Sequence, residues 1–385
     1  MLLPVWIILS ILLFLYSYTQ VSLSLAIVKI PFLYNIQQSF QYIGYFNRPI
    51  SMIVYVVLII TLYILYVITL KMIVKKKITP RSIVVIILSV SVLLTFSYNA
   101  FSHDIFNYIF DAKIVTMYHD NPYVQKALDY PQDPMLSFMQ WTHRTYPYGP
   151  VWIFLSVPVS FIGMQVFFVT FYLFKVFTAA AYLGTVWFMY KTVQKQKKEF
   201  AVFAAAFFAL NPLILIEFLV SGHNDIVMIF FSTLAMYLAM QRKIIGSGIS
   251  YLLSVGVKYA TGFLAPVMVI LYLKPKYFER AMYAGIVLMI GAVIAASLKS
   301  GNFQPWYIAY VIGVATLVSY RKYVSIPIGI FTFFACMHYV PYLYTGTWDA
   351  PVPEILLKGL LLASVCSAVA LVYYLFLSFA KKSKV

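Results

Sequence analysis

Charged side chains are scarce in this chain of 385 residues: they make up 10% of it, and only 11 are Asp or Glu. A soluble domain carries roughly 25% charged residues, so a large soluble fold is excluded. Cysteine is also rare. Cys336 and Cys366 both lie in apolar segments, which argues against a disulfide framework or a zinc site. No Walker loop, GxGxxG, GxSxG or HExxH pattern occurs, so no nucleotide-binding or hydrolase motif is present.

Apolar residues fill the rest of the sequence, at 63% with a mean hydropathy of +0.88. Uncharged runs that reach the approximately 20 residues needed to cross a bilayer recur from end to end. The first run, at 3–22, lacks a basic leader and a small-residue cleavage site, so we interpret it as a retained helix. The pattern predicts an all-α polytopic membrane protein with roughly 11 to 13 transmembrane helices.

The net charge of +17 does not indicate nucleic-acid binding, because the Lys and Arg residues stand in short blocks between apolar runs. By the positive-inside rule these blocks face the cytoplasm. We therefore expect a multi-pass protein of the plasma membrane whose segments 99–149, 221–225, 299–305 and 342–353 lie outside. Five of the 11 acids fall between Asp104 and Asp133, which predicts that the chemistry lies on that outer side.

We expect one membrane domain over 1–385, without a separate soluble unit. It divides into N-terminal helices (1–99), an extracytoplasmic catalytic loop (100–149), a helical part with a second acidic loop at 221–225 (150–310), and C-terminal helices (311–385). Two stretches are irregular. Residues 150–190 fit a short helix at 150–162, broken around Gly163, and a full span at 166–190. Residues 246–272, flanked by basic blocks, fit two half-helices broken near Lys258.

The first outer loop contains a predicted helix. Asp104, Asn107, Tyr108 and Asp111 have i, i+3, i+4, i+7 spacing, which places them on one polar stripe. The opposite side is mostly apolar, so we predict an amphipathic helix lying at the outer membrane interface, with its carboxylates facing protein or water. In a functional reading, Asp104 is a general base or an electrostatic partner for an acceptor hydroxyl. The alternative is simple loop solvation for Asp104, and a bond to loop backbone for Asp111.

Further candidates are ionisable groups in or near apolar segments. Lys258 is predicted at membrane depth, where a cation is a functional candidate by default and a lipid phosphate is its natural partner. An ion pair or snorkelling remains the alternative, and Lys175 is a weaker case of the same kind. Arg144 is the outer cation best placed for a phosphate or headgroup. Asp225 either caps a helix or helps to form an anion site.

Three other features of the sequence are candidates for shaping or lining a cavity, two of them with more than one interpretation. Asn211-Pro212 should kink its helix and shape a cavity. Glu217 either lines that cavity or snorkels, and Trp306 binds substrate or belongs to an aromatic belt. A divalent cation shared by His103–Asp104 and His223–Asp225 is possible if the two loops meet; no other cofactor is expected.

In order along the chain, Asp104-x-Phe106-x-Tyr108, Asn121-Pro122-Tyr123, Tyr148-Gly149-Pro150, Asn211-Pro212 and Gly222-His223-Asn224-Asp225 resemble the GT-C-fold glycosyltransferases. The likeness is to polyprenyl-phosphomannose-dependent mannosyltransferases, including the bacterial α-1,6 group. Lys258-Tyr259 and Pro305-Trp306-Tyr307 follow in the order such enzymes show. The first acid motif lacks the Asp-x-Asp form of some relatives, which leaves the metal question open.

The resemblance implies inverting transfer of a hexose, with mannose expected, from a polyprenyl-phosphate-linked donor to an extracytoplasmic glycan or glycolipid acceptor. It implies that Asp104 is the catalytic base. The expected substrate-binding residues are Asp111, Asn121, Tyr123, Arg144, Tyr148, His223, Asn224, Asp225, Lys258 and Trp306. A lipid-linked oligosaccharide flippase is the alternative, but it predicts repeated halves and charges along a central pathway, which the sequence does not show. An inactive scaffold leaves Lys258 unexplained.

Overall fold

A computed structural model describes residues 2–27 and 30–382, with side chains described as far as 378. The ends of the predicted segments 1–99 and 311–385 therefore lie partly outside the described residues. The described part is helical, joined by turns and one isolated bridge between Lys126 and Thr145. This confirms the predicted all-α membrane class.

The α-helices are α1 (Leu2–Ser17), α2 (Pro31–Gln41), α3 (Arg48–Val74), α4 (Pro80–Thr95), α5 (Asp104–Thr116), α6 (Pro150–Ile162), α7 (Phe167–Gln196), α8 (Ala201–Ala209), α9 (Pro212–Ile214), α10 (Asp225–Met240), α11 (Ile244–Val257), α12 (Ala265–Leu273), α13 (Phe278–Ser300), α14 (Ile308–Ala315), α15 (Lys322–Met337), α16 (Val340–Thr345) and α17 (Val352–Lys382). Short 3₁₀ turns include Tyr259–Leu264 and Pro305–Tyr307, and π-helical turns occupy Tyr42–Phe46 and Leu215–Val220.

Fewer helices are full-length spans than the roughly 11 to 13 predicted from hydropathy. Among the described residues, six helices are long and apolar enough to cross a membrane, or seven if α8 and the turn from Pro212 to Val220 form one broken span. The remaining apolar segments are helices of 10–17 residues. Hydropathy alone does not separate these short helices from full spans, because both are strongly apolar.

The expected kink at Asn211-Pro212 is present as a 51° bend between α8 and the following turn. Proline cannot donate a backbone hydrogen bond and clashes with the preceding turn. The Asn211 side chain caps the new helix by accepting the Leu213 N–H at 3.0 Å. Residues from α8 to the start of α10 are buried on nearly every side, so this broken span forms the centre of the bundle.

The break predicted at Lys258 is confirmed, since α11 ends at Val257 and the 3₁₀ turn starts at Tyr259. A helix of 14 residues is about 21 Å long, too short for a full crossing. The break around Gly163 is confirmed as well, between α6 and α7.

The prediction for α5 was right about its start at Asp104, and of the two expected surroundings for its carboxylates, protein or water, the structure shows protein. Apolar Ile105, Phe106 and Ile109 are buried, but so are the polar Asn107 and Asp111. The helix is therefore enclosed by protein on both faces, so its apolar side packs against protein and not against lipid. The short acidic loop before Asp225 is likewise buried, not exposed at the outer surface.

Candidate active site

A cavity of about 390 Å³ opens beside the start of α5. Asp104 and Trp306 are the two predicted site residues that line it. Its polar and aromatic wall includes His103, Gln140, Trp141, Gln304, His338, Tyr339 and Trp348, and its apolar wall includes Leu343, Leu356, Leu357 and Leu360. The cavity is thus amphipathic, with the carboxylate of Asp104 on its polar side.

Asp104 is the first residue of α5, where the helix dipole favours a negative charge. Its backbone N–H donates to Ser102 Oγ at 3.2 Å, which anchors the turn. Its Oδ1 lies 3.8 Å from Arg144 Nη2, and its Oδ2 accepts from the Tyr148 hydroxyl at 3.5 Å. The side chain of Asp104 is thus 11% exposed, held by partners on one side and open to the cavity on the other.

The second acidic loop meets Asp104 through His223, whose Nε2 lies 3.9 Å from Asp104 Oδ2. The other ring nitrogen, Nδ1, lies 3.0 Å from Glu217 Oε2. The ring packs against Trp306 at a tilt of 33°, with 4.3 Å between centroids. Burial lowers the pKa of His223, but Glu217 and then Asp104 and Asp225 outweigh it, so the pKa is raised above its ordinary value.

Asp225 lies behind this wall and not on it. It is fully buried, and its two oxygens accept from Lys258 Nζ at 2.8 and 2.9 Å. For Lys258 we considered a lipid phosphate, an ion pair or snorkelling, and the structure shows the ion pair. Asp225 is the first residue of α10, and its side chain does not cap the helix; the residue at the capping position, Asn224, makes no cap bond either.

Tyr148 joins the two acids. Its hydroxyl bonds to Asp104, while its ring lies under Lys258 with 5.5 Å between Nζ and the centroid. Asn224 is fixed from α5, because its Oδ1 accepts from the Tyr108 hydroxyl at 3.2 Å. The structure therefore brings most predicted site residues into one cluster, although only two of them face the cavity.

Asn121, Tyr123 and Asp111 are three of the predicted residues that do not line the cavity. Asn121 is exposed and accepts the Tyr123 N–H at 3.0 Å, and Tyr123 reaches the Tyr148 carbonyl at 3.4 Å. Asp111 is buried, and its Oδ2 has no hydrogen-bond partner among the described residues, so the expected bond to loop backbone is not seen. Burial raises the pKa of Asp111 to about 8, opposed by Arg144 and aided by Asp104.

Sequence reasoning missed the cavity's far wall and the role of Glu217. Glu217 neither lines the cavity nor snorkels: it is fully buried and accepts from the Tyr339 hydroxyl at 2.8 Å. A carboxylate within an uncharged span was the available signal. For Trp141 and Trp348 no signal existed, because outer tryptophans look the same in an aromatic belt.

The possible divalent cation meets few donors here. Within the residues that the structure describes, no three His, Cys, Asp or Glu side chains come close enough to hold a metal ion.

The Lys175 ammonium is occupied, since it donates to the carbonyls of Leu219 and Val220 and so fixes the end of the buried π-turn.

Fold and site together define a multi-pass membrane protein with a buried acidic cluster beside an amphipathic cavity. The family model described as "Alpha-(1->6)-mannopyranosyltransferase, N-terminal domain" matches residues 16–274, about two thirds of the chain, and the chain belongs to this MptA_B family. The predicted GT-C-type mannosyltransferase identity is thereby confirmed.

No curated protein and no solved structure gave a significant match. The family assignment makes the chain a glycosyltransferase that acts on a sugar donor and an acceptor in a membrane setting, and it lends no support to a flippase. The family match ends at residue 274. Trp306, Tyr339, Trp348 and the leucines of α17 therefore complete the cavity from beyond the matched part.

Proposed function

We propose that this protein transfers mannose, with inversion, from a polyprenyl-phosphate-linked donor to a glycan or glycolipid acceptor. The transfer takes place on the extracytoplasmic side of the plasma membrane. One observation carries the proposal: Asp104 stands on the polar wall of a cavity whose other wall is aliphatic. A sugar joined to a lipid through phosphate has the same two-part character.

The polar wall suits a sugar. Gln140 and Gln304 supply amide donors and acceptors, and Trp141, Trp306 and Trp348 supply flat faces with a polar handle. Such side chains can hydrogen-bond sugar hydroxyls and cover the ring's less polar face. The reacting sugar is therefore placed at this end, next to Asp104.

The aliphatic wall suits a lipid chain. It is formed by Leu343 and three leucines of α17. Leu357 lines the cavity while 61% of it is exposed, so it stands at the mouth of the cavity. Helix α17 is long and apolar enough to cross the membrane, and only 11% of its most apolar stretch is buried within the protein. The mouth of the cavity therefore faces the bilayer. A polyprenyl chain can enter there while its phosphate stays near the polar wall.

In the proposed reaction, an acceptor hydroxyl lies against the carboxylate of Asp104. The hydroxyl oxygen attacks the anomeric carbon, its proton passes to Asp104, and the bond from that carbon to the phosphate oxygen breaks with its electron pair on the phosphate. Arg144 is our candidate for holding the departing phosphate, since it is 3.8 Å from Asp104 and stacks on Trp141. Lys258 already has a partner in Asp225. No step is routed through a metal.

The outward orientation rests on the positive-inside rule. The loop from 99 to 149 carries Asp104, and the flanking cytoplasmic segments carry the basic blocks. With the site on the outer side, a lipid-phosphate donor is the form of activated sugar available there, because nucleotide sugars are made inside the cell.

The test is product formation by the purified protein in vesicles supplied with radiolabelled polyprenyl-phosphomannose and a glycolipid acceptor. Asp104→Asn should lower turnover by roughly 10²–10⁴-fold, the usual contribution of a general base. Asp120→Asn, an exposed acid of the same loop that bonds only to Tyr130, should retain full turnover. The proposal fails if the wild type uses only a nucleotide sugar, or if Asp104→Asn turns over normally.

A further inference from the structure

The imidazole of His223 lies between two carboxylates that come from different elements. Nδ1 is 3.0 Å from Glu217 on the π-turn, and Nε2 is 3.9 Å from Asp104 on α5. The side chains of His223 and Glu217 are fully buried. Neither ring nitrogen makes a well-aligned hydrogen bond among the described residues, so the two acids are the ring's charged neighbours through these close contacts.

Other ionisable groups face this cluster from every neighbouring element. Asp225 acts on His223 through space, Arg144 and Tyr148 contact Asp104, and Asp111 acts on Arg144. Tyr339 bonds to Glu217, and Tyr55 and Cys336 act on Glu217 through space. Lys258 is paired with Asp225, and Lys175 is bonded to backbone carbonyls. Glu217 thus has His223 as its nearest ionisable cationic partner.

We propose that Glu217 and His223 form a positioning pair, in which Glu217 keeps His223 as an imidazolium and the imidazolium keeps Asp104 ionised and aimed into the cavity. The inference rests on the proposed role of Asp104 as base. His223 and Arg144 both lie within 4 Å of Asp104, and the loss of one of two cations beside a buried carboxylate favours its neutral form, which cannot accept a proton. The raised pKa of His223 agrees with this arrangement.

The pair also has a connection to the cavity. The hydroxyl of Tyr339 donates to Glu217 Oε1 at 2.8 Å, while its ring lines the cavity. Trp306, which lines the cavity too, packs against His223 with 4.3 Å between ring centroids. A molecule in the cavity therefore contacts Tyr339 and Trp306, the neighbours of Glu217 and His223. Because His223 and Glu217 lie behind these wall residues, they are positioning residues and not catalytic residues.

Two near-isosteric variants, His223→Gln and Glu217→Gln, test the kinetic consequence in the transfer assay. Both should move the acid limb of the kcat/KM profile upward by about one pH unit, so that rates below the limb fall about tenfold. The KM for donor should change by less than about twofold. Matched controls are His119→Gln and Glu354→Gln, which remove an exposed histidine and an exposed glutamate and should leave the profile in place.

A second readout needs no activity. The chain has five histidines, so ¹⁵N-histidine NMR of the protein in nanodiscs can assign His223 by its loss in His223→Gln. At pH 7 the wild-type ring should show an imidazolium signature, and Glu217→Gln should convert it to a neutral ring. A neutral wild-type ring overturns the pair.

The outcomes separate the two proposals. If the wild type forms no product but His223 is an imidazolium that depends on Glu217, the proposed function fails and the pair stands. If the wild type is active while both variants keep its pH profile, the pair is overturned and the function stands. If His223→Gln does not fold, Glu217→Gln and Tyr339→Phe decide. The latter should shift the limb in the same direction by a smaller amount, and an unmoved limb in both is a negative result.

Discussion

The ammonium of Lys258 donates to both oxygens of Asp225, at 2.8 and 2.9 Å, and the pair lies directly behind Tyr148. Because of this contact, the cation at the break after α11 is not free to bind a phosphate. The contact also connects the break after α11 to the start of α10, and thereby fixes the ring of Tyr148, whose hydroxyl bonds to Asp104.

Removal of Lys258 alone should destabilise the protein. Lys258→Met leaves a fully buried Asp225 carboxylate without its partner, and breaking such a pair from one side costs about 3–5 kcal/mol. The double variant Lys258→Met/Asp225→Asn should recover much of that loss, since no charge is left buried. Thermal unfolding of the detergent-solubilised variants measures this. A double variant as unstable as Lys258→Met would show that the pair is not the cause.

Arg144 should control the affinity for donor. Arg144→Gln removes the cation beside Asp104 and Trp141, so the KM for lipid-phosphate donor should rise about tenfold, equivalent to about 1.4 kcal/mol. Arg144→Lys should fall between the two, because a point charge keeps attraction without the fork geometry. Lys126→Gln, in the same loop, is the control. An unchanged donor KM in Arg144→Gln would remove this residue from phosphate binding.

Asp111 should make stability depend on pH. Its pKa is raised to about 8 by burial, whereas an unfolded Asp titrates near pH 4. The folded state therefore binds more protons between these values, and stability falls as the pH rises from about 4 to 8. Asp111→Asn, which resembles the protonated acid, should remove this slope and gain stability at pH 8. Unfolding at pH 5.5 and pH 8 checks it; equal slopes in both proteins would contradict it.

Gly149 should be essential for close helix contact. A Cβ at this position would lie 2.1 Å from the Gly256 carbonyl oxygen, and backbone cannot move aside as a side chain can. Gly149→Ala should separate α6 from α11, lowering stability by at least about 1–3 kcal/mol and reducing turnover, because Tyr148 is adjacent. Gly248→Ala is the matched control: nothing lies within 4 Å of its Cβ, so it should be neutral or stabilising. Equal Tm values for both variants would contradict this.

Parts of this structure were predictable from sequence because local chemistry dictates them. The break at Lys258 follows from an uncharged segment too short for two crossings, and the bend at Asn211-Pro212 follows from proline's missing N–H. The helix start at Asp104 could be placed from the spacing of its polar residues. Each of these features depends on residues close together in the chain.

The burial of α5 could not be predicted in this way. Its polar stripe was compatible with either protein or water, and the partners that cover it, Arg144, Tyr148 and Asn224, are remote in sequence. The partner of Glu217, Tyr339, lies 122 residues away. The apolar wall could not be predicted for another reason. In an apolar helix, a leucine that faces a cavity and a leucine that faces lipid have the same sequence pattern.

The leucines of α17 should select the length of the lipid chain. Leu356 lines the cavity, and the larger side chain of Leu356→Trp should fill the space where the chain enters. Transfer from a long polyprenyl donor should then fall about tenfold or more, while a short-chain donor should be used nearly as well as by the wild type. Leu361→Trp, on the same helix but 59% exposed and absent from the cavity wall, controls for bulk. Kinetics with both donors measure the ratio. Equal losses for long and short donors would mean that α17 packs against the cavity without holding the lipid, and the aliphatic wall would then belong to the acceptor.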